Sequence, residues 1–68
     1  MANDPMKDKN YDMVSVLYHV AQGSENSRKY AEDARQEGDN EAAEFFEEAQ
    51  RAYVELGNKG KKLLKDRL

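Results

Sequence analysis

Small and apolar residues recur along this chain in alternating steps of four and three, and that period decides most of what it can fold into. The first series is Met13, Leu17, Val20, Ser24, Ser27, Ala31, Ala34 and Gly38. The second is Ala42, Phe46, Ala49, Tyr53, Leu56, Gly60 and Leu63. Such steps keep side chains on one stripe of an α-helix, whereas a strand requires strict alternation. Alternation is absent, and β-branched residues are few. The pattern predicts an all-α chain built from two long helices.

Between the two series lies Glu37-Gly38-Asp39-Asn40. Glycine suits the left-handed residue just past a helix C-terminus, where a Cβ would cost energy. Asp39 or Asn40 suits the next N-cap, its side-chain oxygen accepting an orphan backbone N–H. Glu41 and Glu44 follow in the first turn, where the helix dipole favours negative charge. The expected boundaries are a frayed segment over 1–9, a first helix over 10–37, a turn over 38–40 and a second helix over 41–66. Asp4-Pro5 is a rival start for the first helix, because proline fits the first helical position. Gly57-Asn58 is a possible break, which over 57–60 would detach a terminal helix beginning at Lys59.

So short a turn makes the helices antiparallel neighbours. Folding there pairs positions whose numbers sum to about 77. Phe46 then faces Ala31 and Ala34, Tyr53 faces Ser24 and Ser27, and Leu17 meets Gly57 and Gly60. Met13 meets Leu63 and Leu64. Large residues fall opposite small ones, which lets two close helices interdigitate.

A hairpin gives each helix one neighbour, so apolar groups off the seam lack cover. Val14, Tyr18 and Ala21 flank one side of the first helix, and Val16 and Tyr30 lie on the other. Phe45, Ala52 and Val54 lie off the second seam. The chain has 68 residues and no cysteine. A chain this short buries only about 60% of its unfolded surface, and disulfides or thiolate zinc sites are not open to it. Self-association is the remaining remedy. The expectation is a homodimer forming a four-helix bundle, with Val14, Tyr18, Ala21, Phe45 and Ala52 at the interface. A further, unidentified protein partner is compatible with the same exposed surface.

Charge is unevenly spread. Glu25 to Glu55 holds ten acids and four bases, whereas Lys59 to Leu68 holds five bases and one acid. The formal net charge of -3 argues against nucleic acid as a partner, since that requires a basic footprint. No apolar run approaches the ~20 residues that span a bilayer, and Met1-Ala2-Asn3-Asp4-Pro5 does not read as a secretory signal. A cytoplasmic protein without a membrane partner is the expectation. The basic end, with Lys61, Lys62 and Lys65, carries the alternative of weak binding to anionic surfaces or nucleic acid.

The stretch from Ala31 to Ala49, AEDARQEGDNEAAEFFEEA, resembles the hairpins of ferritin-like and rubrerythrin-like proteins. There a helix ends in an acidic Glu-Gly-Asp turn, and the next opens with small residues, aromatics and paired glutamates. The resemblance covers about 40 residues, roughly half of such a four-helix unit. It implies a di-metal carboxylate site for metal storage or redox work, built from glutamate on one helix and Glu-x-x-His on its partner. Glu25 and Glu48, with a symmetry-related pair, are the candidate ligands. Three residues after Glu48 stands Arg51, and three after Glu47 stands Gln50, so the histidine of the motif is missing. His19 is the lone imidazole, rotated roughly 200° from Leu17 and so away from the seam. The expectation is therefore no bound metal or other cofactor.

Catalytic signatures are lacking as well. There is no cysteine nucleophile, Gly-x-Ser-x-Gly elbow or glycine-rich phosphate loop. Ser24 and Ser27 read as small packing residues. The function expected from sequence is that of a small non-enzymatic interaction or scaffold protein.

Overall fold

The computed structural model describes residues 9–67, and they form two helices and a turn. Helix α1 spans Lys9–Gln36 and helix α2 spans Asn40–Lys65. No strand occurs among the described residues. Each helix starts one residue earlier than the periodicity predicts and ends one earlier. Helix α2 runs unbroken through Gly57 and Gly60, so no terminal helix detaches there. The rival start at Asp4-Pro5 and residues 1–8 of the 1–9 segment expected to fray lie outside the described residues, whereas Lys9, the last of that segment, is helical.

The turn satisfies its own backbone. Gly38 takes φ +78°, the left-handed conformation a side chain disfavours. Its N–H donates to the Arg35 carbonyl at 3.0 Å, and the Asp39 N–H donates to the Ala34 carbonyl at 2.8 Å. This pair of bonds is a Schellman closure of α1. Asp39 also caps α2, its carboxylate accepting from the Ala42 N–H at 3.0 Å. One residue thus completes one helix and starts the next. Across the turn, Arg35 donates through Nη2 to Glu47 Oε1 at 2.8 Å and through Nε to Oε2 at 3.3 Å. That fork ties the last turn of α1 to the second turn of α2.

Small residues bring the backbones together. The buried residues are Val20, Ser27, Ala31 and Ala34 of α1 with Ala43 and Gly57 of α2. Ala43 is wholly enclosed, at 0% exposure. The glycines of the seam act as sockets. A Cβ on Gly60 would stand 2.7 Å from Leu17 Cδ2, one on Gly57 3.3 Å from Val20 Cγ1, and one on Gly23 2.6 Å from Tyr53 Cζ. Leu17 therefore meets Gly60 as the hairpin register predicts. Tyr53 seats on Gly23, one residue before the expected Ser24.

The two helices differ in how closely their inner faces follow the predicted stripes. On α1, Met13, Leu17, Val20, Ser24, Ser27, Ala31 and Ala34 are all buried or half-buried. On α2 the inner stripe is Ala43, Phe46, Gln50, Tyr53, Gly57, Gly60 and Leu64. The remaining members of the predicted seam, Ala42, Ala49, Leu56 and Leu63, belong to a second stripe one position earlier, completed by Phe45, Ala52 and Lys59. Leu56 and Leu63 on that outer stripe are 48% and 46% exposed. Both stripes keep the three-four period. The predicted seam crosses between them because both carry apolar residues.

Candidate interaction surface

Two grooves flank the seam toward the open end of the hairpin and define its broad sides. One, of about 200 Å³, is walled by Met13, Val16, Leu17, Leu56, Gly60 and Leu63, together with Asp12. The other, of about 260 Å³, includes Ala21, Glu25, Val54, Asn58 and Lys61. Val16 and Ala21 lie about 140° apart around α1, and Leu56 and Val54 about 160° apart around α2. These pairs therefore mark opposite sides of the molecule.

The side of Val16, Leu56 and Leu63 is the more apolar one. Toward the turn it continues through Ala52 and Ala49 into an aromatic cluster. Tyr30 meets Phe46 with ring centroids 5.5 Å apart, and Phe46 meets Phe45 at 5.6 Å, both edge-on. Such edge-to-face pairs suit the ring quadrupoles. Phe45 is nevertheless 65% exposed, the largest value among the exposed large hydrophobic residues. An open depression of about 290 Å³ follows toward the turn, where Tyr30, Ala42 and Phe46 meet the acids Asp33, Glu37 and Asp39.

The opposite side is more polar, although Val14, Tyr18 and Val54 are exposed on it as well. Arg28 donates to Glu25 at 2.6 Å and to Glu32 at 2.8 Å, bridging three residues along α1. Arg28's hydrogen bonds and then its charge, with a smaller effect of Lys29, hold the Glu25 carboxyl below its ordinary value. Glu25, and secondarily Glu32, push the Arg28 guanidinium upward in return. Gln22 donates to the Tyr18 hydroxyl at 3.1 Å. These groups are exposed, so the pairs contribute little to stability and weaken with salt.

The residues expected at a dimer interface divide between these sides. Phe45 and Ala52 belong to the apolar side with Leu56. Val14, Tyr18 and Ala21 lie on the polar side, beside Glu25. One flat partner surface cannot cover both groups at once. The basic residues divide too: Lys61 lines the groove with Glu25, Lys65 lies about 40° from it around the helix, and Lys62 about 100° away. All three are exposed.

The candidate metal ligands stand apart. Glu25 is held by Arg28 on the polar side. Glu48 lies nine residues from the inward-facing Gly57, about half a turn out of phase, and so projects away from α1. Arg51 occupies the next turn of α2. His19 Nδ1–H donates to the Ser15 carbonyl at 2.8 Å, and its ring packs edge-on against Tyr18 at 5.5 Å. Among the described residues, no group of three or more His, Cys, Asp or Glu could hold a metal ion. A single chain therefore does not assemble the donor set that the ferritin-like resemblance implies.

Gly23 is the socket that helical periodicity passes over. Its signal is arithmetic: 23 and 53 sum to 76, next to the hairpin's own 77, with the bulkiest seam residue opposite the smallest. No helix among the described residues is long and apolar enough to cross a membrane. No family model, curated protein or solved structure matches the chain, so the ferritin-like resemblance rests on its residues alone.

Proposed function

We propose that this chain is a non-enzymatic helical interaction module that works as a homodimer, two hairpins packing broad side to broad side as a four-helix bundle. The observation that carries this reading is where the large side chains lie. The buried set consists of alanines, a valine, a serine and a glycine, while Phe45, Tyr30, Val16, Leu56 and Leu63 stand exposed along one side. Burying one such side chain fully is worth roughly 1.5–3 kcal/mol, which the isolated hairpin forgoes at each position. A face of this kind on a small chain reads as an interface.

The open grooves and the pairing of Glu25 with Arg28 support a role through surfaces rather than chemistry. Sedimentation should give a mass twice 7.8 kDa, and the melting midpoint should fall on dilution, since association and folding are coupled. A stable monomer with an unchanging midpoint would overturn the reading.

A further inference from the structure

We propose that the second copy docks through α2 upon α2, antiparallel, about a two-fold axis passing near Ala52. This rests on the homodimer reading above and adds which helix pairs with which, and in what direction. Three features of the apolar side point to it.

The first is polarity. On that side α2 presents its outer stripe, whose only charge is Lys59. The corresponding stripe of α1 is interrupted by Asp12, His19, Asn26 and Asp33. An α2–α2 contact joins apolar surface to apolar surface, whereas α2 laid on a partner's α1 would bury these polar groups.

The second is the charge gradient along α2. Its first nine residues, Asn40 to Glu48, carry four acids and no base, while Lys59 to Arg67 carries five bases and one acid. Of these, Glu41, Glu48, Lys59 and Lys62 lie on or border the outer stripe, and antiparallel docking sets the acidic pair of each copy beside the basic pair of the other. Parallel docking sets like against like, which is penalised where charges are partly desolvated.

The third is the order of side-chain sizes. Ala52 sits at the centre of the stripe, flanked by Ala49 on one side and Leu56 on the other, with Phe45 and Leu63 farther out. An antiparallel two-fold at Ala52 lets the backbones approach there and sets Leu56 against the small residues of the other copy. Leu63 then falls beside Ala42 and Phe45. The same axis crosses α1 near Ser24 and brings Val16 toward the partner's Tyr30. The α1 helices then lie at the rim of the interface, where Asp12, His19, Asn26 and Asp33 keep contact with water.

The chain has no cysteine, so single thiols report the geometry directly. Ala52→Cys, Ala42→Cys, Leu63→Cys and Tyr18→Cys would each be oxidised with glutathione disulfide, with sedimentation run in parallel. The expected result is a covalent dimer for Ala52→Cys and none for the other three alone. Residue 42 of one copy stands about 30 Å from residue 42 of the other at the helical rise, and residue 63 likewise from residue 63, far beyond disulfide reach. Mixing Ala42→Cys with Leu63→Cys should then yield the mixed covalent dimer. Cross-linking of Ala42→Cys or Leu63→Cys alone would overturn the antiparallel direction, and cross-linking of Tyr18→Cys would overturn the choice of side. A dimer in sedimentation that Ala52→Cys fails to trap overturns the α2 pairing but leaves the homodimer. A monomer in sedimentation removes both.

Discussion

The ring of Tyr53 occupies the space where residue 23 would begin its side chain, with Cζ 2.6 Å and both Cε atoms 2.8 Å from a Cβ built on Gly23. A helix-interior glycine costs about 1 kcal/mol against alanine, so Gly23 sits there against local propensity. The close approach of the ring offsets that cost. Gly23→Ala should therefore lower stability by roughly 1 kcal/mol, because displacing the ring outweighs the gain in propensity. With Tyr53→Ala as background, the same change should raise it by about 1 kcal/mol. Denaturation of the four proteins at one concentration gives the coupling. Stabilisation by alanine in both backgrounds would show that the ring is free to move aside.

Gly38 and Asp39 control the turn by different means. Gly38→Ala places a Cβ at φ +78°, with an expected cost of about 1–2 kcal/mol. No heavy atom lies within 4 Å of that Cβ, so the cost is backbone strain rather than a clash. Asp39→Ala removes the cap on Ala42 N–H and should cost about 1 kcal/mol. Gly38→Asn should fall between the parent and Gly38→Ala, because asparagine tolerates the left-handed region better than alanine. Equal melting of the Gly38→Asn and Gly38→Ala proteins would argue against this account.

Acid should act on Glu25 in a defined direction. Its carboxyl lies below the ordinary value in the folded chain, held there by Arg28. The resulting stabilisation is present above the unfolded carboxylate value and is lost as pH falls through the folded one. Glu25→Gln should melt slightly below the parent at neutral pH and low salt, and the gap should close in acid. In 1 M salt the gap should shrink at every pH, since the pair is exposed. A gap that persists unchanged into acid would place its origin elsewhere.

Metal and polyanion binding are separable by measurement. Purified protein should carry no stoichiometric iron, manganese or zinc, because Glu25 and Glu48 point to different surroundings and Arg51 stands where the motif needs histidine. Two equivalents per dimer, abolished by Glu48→Ala, would reinstate the di-metal reading. Any nucleic-acid contact should be weak and salt-sensitive, carried by Lys61, Lys62 and Lys65. Tight binding at physiological salt would give the basic end a function of its own.

Helix α1 is legible in the sequence because it has one small-and-apolar stripe, which leaves the period a single solution. Helix α2 has two, one residue apart. Hydropathy does not separate them, since Leu56 and Leu63 are more apolar than Gln50 and Gly57, which take the inner places. Close approach, not hydrophobicity, selects the inner stripe: Ala43 and Gly57 let the backbones near each other. The sorting of exposed residues onto two sides depends on how the helices cross, which no single helical period contains. Hence the period shows that Tyr18 and Phe45 both lack cover, but not that they face opposite ways.

Because Asp39 ends one helix and caps the next, the loop that closes the hairpin is close to the shortest available. Chain separation between partners then grows steadily with distance from it: twelve residues for Arg35 and Glu47, thirty for Gly23 and Tyr53, forty-three for Leu17 and Gly60. Closure entropy rises with each step, so the hairpin zips from the turn outward. The end holding Val16 and Leu63 closes last and opens first, and amide exchange should quicken progressively in that direction. In an antiparallel pair of hairpins, each late-closing end lies against the early-closing turn of the other copy. Each chain would then supply the nucleus that its partner's frayed end lacks.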